Sequence, residues 1–274
     1  MTGIPVLTYH SLHAPGDGYA SNDHVALAAD LVTLMEAGYE VVSLGEIVDR
    51  LLQRDADWFM SGGKAGISFD DGCNHDFLDF SHPGLPTLKS FNTLLAEFNR
   101  RHAPPRPARA TSFVIASPVA TEILDRTCIA GRGDWHSGWW RDAVQGGLLD
   151  IGSHGWDHLH PSLPFVCHTR GARDDFSQVD NAHDAAMQIE QAEAYIRQVI
   201  GAEHATGLFA YPGGKASRYL VEEYFPAQGL IRAAFGTGGQ PVSIQSNRWH
   251  LPRYVCGEHW SSPAELAVLL QPGR

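Results

Sequence analysis

The stretch GISFDDG, residues 66 to 72, ends a short apolar run with two adjacent aspartates and a glycine. The apolar part predicts a buried strand with Asp70 and Asp71 at its carboxyl end. Adjacent carboxylates repel each other, so they need a neighbouring positive charge or a shared proton. A solvated turn is the simplest interpretation, because Asp and Gly are common turn residues. A bound metal ion is the alternative, and the rest of the chain has to decide between the two.

Short apolar runs alternate with longer segments of helical period along the 274 residues. Predicted strands cover 4–9, 39–44, 65–69, 110–116, 148–152, 208–210, 233–236 and 249–251. Predicted helices cover 24–37, 44–53, 87–102, 139–146, 179–200 and 262–270, while 54–64 and 159–178 are predicted polar loops. About seven or eight such units predict an α/β fold, a distorted (β/α) barrel forming one domain over residues 1–274. An open doubly wound sheet is the alternative, although no GxGxxG follows the first strand.

Composition and charge exclude several classes of protein. The net charge is -11 and no cluster of Lys and Arg is present, so we expect no nucleic-acid binding. The four cysteines are widely spaced without a CxxC pair, which argues against a zinc ribbon. No run of about 18 apolar residues predicts a membrane span. The N-terminus lacks the pattern of a signal peptide, so we expect a cytoplasmic protein if this chain was not trimmed. The sequence is silent on oligomeric state.

A second polar motif follows the predicted strand at 148–152. His154 and His158 are four residues apart and would share one face of a helical turn. Two neutral imidazoles placed in this way can bind one divalent cation. A polar loop is the alternative in a chain with 15 histidines, and this spacing alone is a weak signal because chance matches are common.

Four predicted strands end in polar groups, and the carboxyl ends of barrel strands meet at one mouth. The groups are His10, the aspartate pair, His154 and the turn that begins at Tyr211. Two histidines and one carboxylate form a catalytic metal set, which would leave the second aspartate free as a base. A backbone N–H of the turn at 211–214 would stabilise an oxyanion, and a histidine opposite would protonate the leaving group. The pattern therefore favours hydrolysis of an amide or an ester.

The two motifs resemble the signature of the polysaccharide deacetylases, the nodulation-type metal-dependent carbohydrate esterases. That signature is a strand ending in T/S-F-D-D-G, followed by H-S/T-x-x-H, and here these are Ser68–Gly72 and His154–His158. The resemblance implies that Asp71, His154 and His158 bind a divalent metal and that Asp70 is the general base. Zinc is the expected ion, with cobalt and nickel as alternatives.

The opening of the chain resembles the poly-N-acetylglucosamine deacetylase branch, in which the order of motifs is permuted. This likeness implies that His10, after Tyr9, is the general acid, although a core histidine is the alternative. Tyr211 begins a segment similar to the third motif, whose backbone contributes to the oxyanion site. This segment departs from the motif, because Ala210 replaces the common Arg and Gly213 the common aromatic residue.

Leu251-Pro252-Arg253 resembles a late Leu-Pro-Arg motif. Arg253 is expected either to pair with Asp70, keeping it ionised and oriented, or to form a purely structural ion pair.

These observations predict a hydrolase that removes acetyl groups from N-acetylated sugars or polysaccharide, with a metal-activated water, an Asp base and a His acid. One alternative is an O-acetyl esterase or a cyclic or small-molecule amidase of the same superfamily. A second alternative is an inactive carbohydrate-binding module, although binding alone does not require a metal set and a base.

Overall fold

Eight short parallel strands form one curled sheet in the computed structural model, which describes residues 3–81 and 87–271. The strands are β1 (Val6–His10), β2 (Glu40–Val41), β3 (Lys64–Asp70), β4 (Ala110–Val114), β5 (Leu149–Ser153), β6 (Leu208–Ala210), β7 (Ala233–Phe235) and β8 (Tyr254–Val255). Their order is β7-β6-β5-β4-β3-β1-β8, and β2 pairs with β3 at the side. The strand order follows the chain in one direction around the sheet. A doubly wound sheet requires a reversal of strand order, and the described residues show none.

The segment before β8 links the two ends of this sheet. Leu251 forms a parallel bridge to Phe235, and its carbonyl accepts a hydrogen bond from the Gly236 N–H at 2.8 Å. The Arg253 carbonyl accepts from two further N–H groups that follow β7, each at 3.1 Å. Because the chain then enters β8 beside β1, the sheet curls back on itself, and the predicted distorted barrel is confirmed.

Helices follow most strands and cover the outside of the sheet. They are α1 (Asp23–Glu36), α2 (Leu44–Leu52), α3 (Ala56–Met60), α4 (Phe91–His102), α5 (Pro118–Cys128), α6 (Trp140–Gly146), α7 (Ala182–Ala185), α8 (Gln191–Ile200), α9 (Phe225–Ala227) and α10 (Pro263–Leu269). Serine side chains cap several of them, as Ser43 does by accepting the Glu46 N–H at 3.1 Å. None of the helices in the described ranges is long and apolar enough to cross a membrane.

Four sequence-based assignments differ from the structure. The predicted loop at 54–64 contains α3, since Asp55 caps the turn and Phe59 is buried. Helix α5 was not predicted, although Ser117 caps it ahead of a proline in the first turn. The last strand lies at Tyr254–Val255 instead of 249–251. The helix predicted at 179–200 begins at 182 and contains a π-helical segment, Ala186–Glu190.

Alternation along β1 and β3 separates a hydrophobic face from a polar interior. Tyr9 and Phe69 point outward and pack against Phe91 of α4. Residues two apart share a face, so the intervening side chains point inward, and Thr8 Oγ1 lies 2.9 Å from Ser68 Oγ. The same alternation brings the side chains at the strand ends to the interior mouth.

Candidate active site

The turn after β3 directs its two aspartates to different partners. Parallel pairing sets Asp70 beside His10, each at the end of its strand. Asp71 then adopts a left-handed conformation with φ of 74° and Gly72 follows with φ of 70°. A Cβ at Gly72 would lie 2.7 Å from the Val114 Cα, so only glycine fits against β4 here. The turn thus holds both carboxylates at the mouth of the barrel.

Asp70 is 5% exposed and is bound by a fully buried arginine. Arg253 donates from NH1 to Oδ1 at 2.7 Å and from NH2 to Oδ2 at 2.8 Å. The guanidinium also donates to the Ser68 hydroxyl and to the Gly236 carbonyl, both at 3.1 Å. Burial by itself raises the pKa of Asp70, but the charge and hydrogen bonds of Arg253 outweigh it and hold this pKa well below its usual range. The predicted pairing is therefore present, and it keeps Asp70 ionised.

Asp71, His154 and His158 bring one ligand atom each to a common point. These three atoms lie within 4.8 Å of one another, and Asp71 Oδ1 is 3.8 Å from His154 Nε2 and 3.7 Å from His158 Nε2. Two imidazole nitrogens and one carboxylate oxygen at such separations fit one divalent cation with bonds of about 2.0–2.2 Å. The donor set predicted from the two motifs is thus assembled in space.

A hydrogen bond orients the ring of His154, and burial keeps His158 neutral. His154 Nδ1 lies 2.8 Å from the Ala210 carbonyl, which can only accept, so Nδ1 carries the proton and Nε2 offers its lone pair. Burial, together with the neighbouring His154, lowers the pKa of His158 to about 3. Neutral imidazole is therefore present across the physiological pH range at His158.

The segment between the two histidines is a loop, so the expected helical turn is wrong. Gly155 has φ of 85° and His158 has φ of 63°, and neither value is helical. The loop is held by Asp157, whose carboxylate accepts from the Cys167 N–H at 2.5 Å and from Gln188 Nε2 at 2.7 Å. Gln188 lies in the π-helical segment Ala186–Glu190.

Tyr211 itself does not face the site. Its side chain is fully buried and donates to the Trp249 carbonyl at 2.7 Å, while its N–H donates to the Phe235 carbonyl at 2.9 Å. Both donors are therefore occupied, which corrects the prediction that Tyr211 serves catalysis directly. Gly213 lines the cleft, and its N–H has no partner among the described residues. Any oxyanion donor from this turn is thus the Gly213 N–H.

A cleft of about 270 Å³ surrounds these groups. It is lined by His10, Asp70, Asp71, His154, His158, His160, Gly213, Gly214, Thr237, Val255 and Glu258. The sequence motifs did not identify His160, Thr237 or Glu258. His160 lies only two residues after His158, so its position was a usable signal, whereas Thr237 and Glu258 come from loops without a distinguishing pattern.

Comparison with known proteins finds one matching family model over part of the chain. Residues 105–225 match the family model described as polysaccharide deacetylase. This segment contains His154 and His158, while the aspartate pair precedes it and Arg253 follows it. No match was found among curated protein sequences.

Several solved structures share the fold over nearly the whole chain. IcaB from Ammonifex degensii has a TM-score of 0.65 and 19% identity, with coverage of 99% of this chain and 98% of that one. A de-N-acetylase from Aggregatibacter actinomycetemcomitans has a TM-score of 0.63 and 16% identity, covering 96% and 99%. The BpsB deacetylase domain from Bordetella bronchiseptica has a TM-score of 0.54 and 16% identity, covering 93% and 96%.

These structures agree with this chain in the course of the backbone, and the family model agrees with it in sequence. The match over residues 105–225 carries one of the two motifs of the predicted family, and the barrel brings the other motif next to it. Residues 105–225 therefore resemble the polysaccharide deacetylase family in sequence, and nearly the whole chain shares its fold with the solved structures.

Proposed function

We propose that the protein is a metal-dependent N-deacetylase that hydrolyses the acetamide of N-acetylated sugars to acetate and a free amine. One observation carries the proposal: three metal-binding side chains lie beside Asp70, a buried carboxylate that Arg253 keeps ionised. The names of two structural neighbours, a de-N-acetylase and a deacetylase domain, support the same reaction class.

Asp71, His154 and His158 would hold the divalent cation, with zinc as the expected ion and cobalt or nickel as alternatives. When bound, such a cation supplies Lewis acidity, which polarises a carbonyl and acidifies a water molecule. The cation is also compatible with the adjacent aspartates, because its charge compensates that of Asp71 while Arg253 compensates that of Asp70.

Asp70 would accept the proton that the attacking water loses. Each of its oxygens bonds one nitrogen of Arg253 and retains a second lone pair. Oδ2 lies 3.9 Å from His154 Nε2, so the carboxylate borders the metal-binding set without belonging to it. Because Arg253 fixes both oxygens, the direction of the remaining lone pairs is fixed as well.

His10 would protonate the departing amine. It ends β1, next to Asp70 in the register, and its partly exposed ring lines the cleft. Its main chain is anchored by a 2.7 Å hydrogen bond from the N–H to Asp23 Oδ2. The Gly213 N–H is the backbone donor that would stabilise the developing oxyanion.

The test measures acetate release from N-acetylglucosamine oligomers and from O-acetylated xylan. We expect release from the oligomers, and Asp70→Asn should reduce kcat by at least about 10²-fold while the protein still binds zinc. Asp180→Asn, which alters an exposed ion pair with Arg170, is the control and should leave kcat unchanged. Release from xylan alone would favour the esterase alternative. Sugar binding without release under any metal would favour the binding module.

A further inference from the structure

Glu258 carries a carboxylate in the cleft that neither the metal-binding set nor the base uses. It follows β8, the strand that pairs with β1, and therefore lies on the same side of the mouth as His10. Its side chain is 66% exposed, and the nearest charged partner is His259, whose Nε2 is 3.9 Å away. This separation is too long for a hydrogen bond, so the carboxylate is available to a ligand.

The turn that carries Glu258 is well anchored. The Val255 N–H donates to His259 Nδ1 at 2.9 Å, and the His259 N–H donates back to the Val255 carbonyl at 2.9 Å. The Gly257 N–H donates to the Trp260 carbonyl at 2.8 Å, and Trp260 is buried. A carboxylate on such a turn has a defined position, which favours recognition of a specific group on a ligand.

The charges around the cleft leave Glu258 as its uncompensated anion. Asp70 is neutralised by Arg253, and Asp71 belongs to the metal-binding set. No lysine or arginine lines the cleft within the described residues. A cationic group on the substrate would therefore be attracted to Glu258 and repelled by a cation at the metal site. Such a group would bind beside Glu258, at a distance from the reacting carbon.

We propose that Glu258 is a specificity-determining residue that binds the ammonium group of an already deacetylated sugar next to the acetamide under attack. The inference rests on the proposed function, because that reaction itself produces such amines. An amine of this kind is largely protonated below about pH 7.7. The enzyme would then prefer partly deacetylated chains to fully acetylated ones, so one deacetylation would promote the next.

The experiment compares kcat/KM at pH 6.5 for two N-acetylglucosamine tetramers, one fully acetylated and one with a single free amine next to an acetylated residue. We expect the wild-type protein to favour the amine-bearing tetramer by roughly two- to fivefold, the range of an exposed ion pair. The preference should decline at 1 M salt, because exposed charges are then screened. In Glu258→Gln the two tetramers should react with equal kcat/KM.

Glu203→Gln is a matched control. The side chain of Glu203 is 74% exposed, and the Nε2 of the following histidine lies 3.9 Å away, as at Glu258. Glu203 precedes β6, however, and therefore lies at the opposite end of the barrel. This variant should keep the wild-type preference. Equal rates for the two tetramers in the wild type, or a preference that survives in Glu258→Gln, would overturn the inference. If neither tetramer releases acetate, the proposed function itself is wrong.

Discussion

Replacing Arg253 by methionine tests the central ion pair of the site. The substitution keeps an unbranched side chain but removes the guanidinium from a position with no solvent exposure. Both oxygens of Asp70 lose their partner, and so do the Ser68 hydroxyl and the Gly236 carbonyl. Removing one member of a buried pair costs about 3–5 kcal/mol in the free energy of unfolding, because the other charge is left uncompensated. We expect the melting temperature to fall by on the order of 10 °C.

The pH dependence of this effect has a defined sign. The pKa of Asp70 is lowered in the folded protein, so the pair contributes stability at pH values above the unfolded pKa of about 3.9. This contribution is lost as the pH falls through the lower folded pKa. In Arg253→Met, burial instead raises the pKa of Asp70, so the base becomes protonated at a higher pH. The acid limb of kcat/KM should therefore move upward relative to the wild type.

Urea unfolding at pH 7 and a pH–rate profile measure the two effects. The double variant Asp70→Leu/Arg253→Met replaces both charges with apolar groups and should recover most of the lost stability, although not activity. Arg232→Met is the control, since its partner Asp49 is exposed, and it should change the stability by no more than about 1 kcal/mol. A double variant as unstable as Arg253→Met would refute the uncompensated-charge explanation. An unchanged acid limb would show that Asp70 is not the titrating base.

Three further predictions concern the turn, the metal site and a buried acid. In urea unfolding, Gly72→Ala should destabilise the protein by more than about 2 kcal/mol, and it should also reduce activity. Gly62 has a similar φ of 66°, but a Cβ there would have no heavy atom within 4 Å, so Gly62→Ala should show only the cost of backbone strain. His154→Ala should abolish stoichiometric zinc binding in calorimetric titration, whereas the partly exposed His204→Ala should retain it. Burial raises the pKa of Glu193 to about 7, so the folded protein holds a proton that the unfolded chain releases at about pH 4.5. The wild type should therefore lose stability as the pH rises from about 4.5 to 7, and thermal melts of Glu193→Gln should show a weaker pH dependence.

The sequence predicted the strands at the site because the site depends on strand ends. Seven of the eight strands overlap a predicted one; His10 and Asp70 directly follow predicted strand ends, and His154 comes two residues after one. Parallel order then fixes which ends are neighbours, as the pairing of His10 with Asp70 shows. The convergence of these strand ends could therefore be predicted without knowing any loop conformation.

Two errors at the candidate site arose where a loop is held by distant partners. The course of the chain from His154 to His158 depends on Asp157 and Gln188, which are 31 residues apart in sequence. Tyr211 turns away from the cleft because its hydroxyl finds the Trp249 carbonyl, 38 residues further along. Periodicity and spacing describe local conformation, so neither could show these contacts.

The aspartate pair is tolerated because the fold directs the two carboxylates to different partners. Asp70 ends a strand and points into the barrel, where Arg253 arrives from the segment that links the two ends of the sheet. The left-handed turn at Asp71 directs the second carboxylate to the two histidines instead. The solvated-turn interpretation of this motif fails for the same reason, since Asp70 is almost fully buried. The segment that closes the barrel therefore also supplies the charge that would keep the proposed base ionised, so loss of that pair should affect stability and catalysis together.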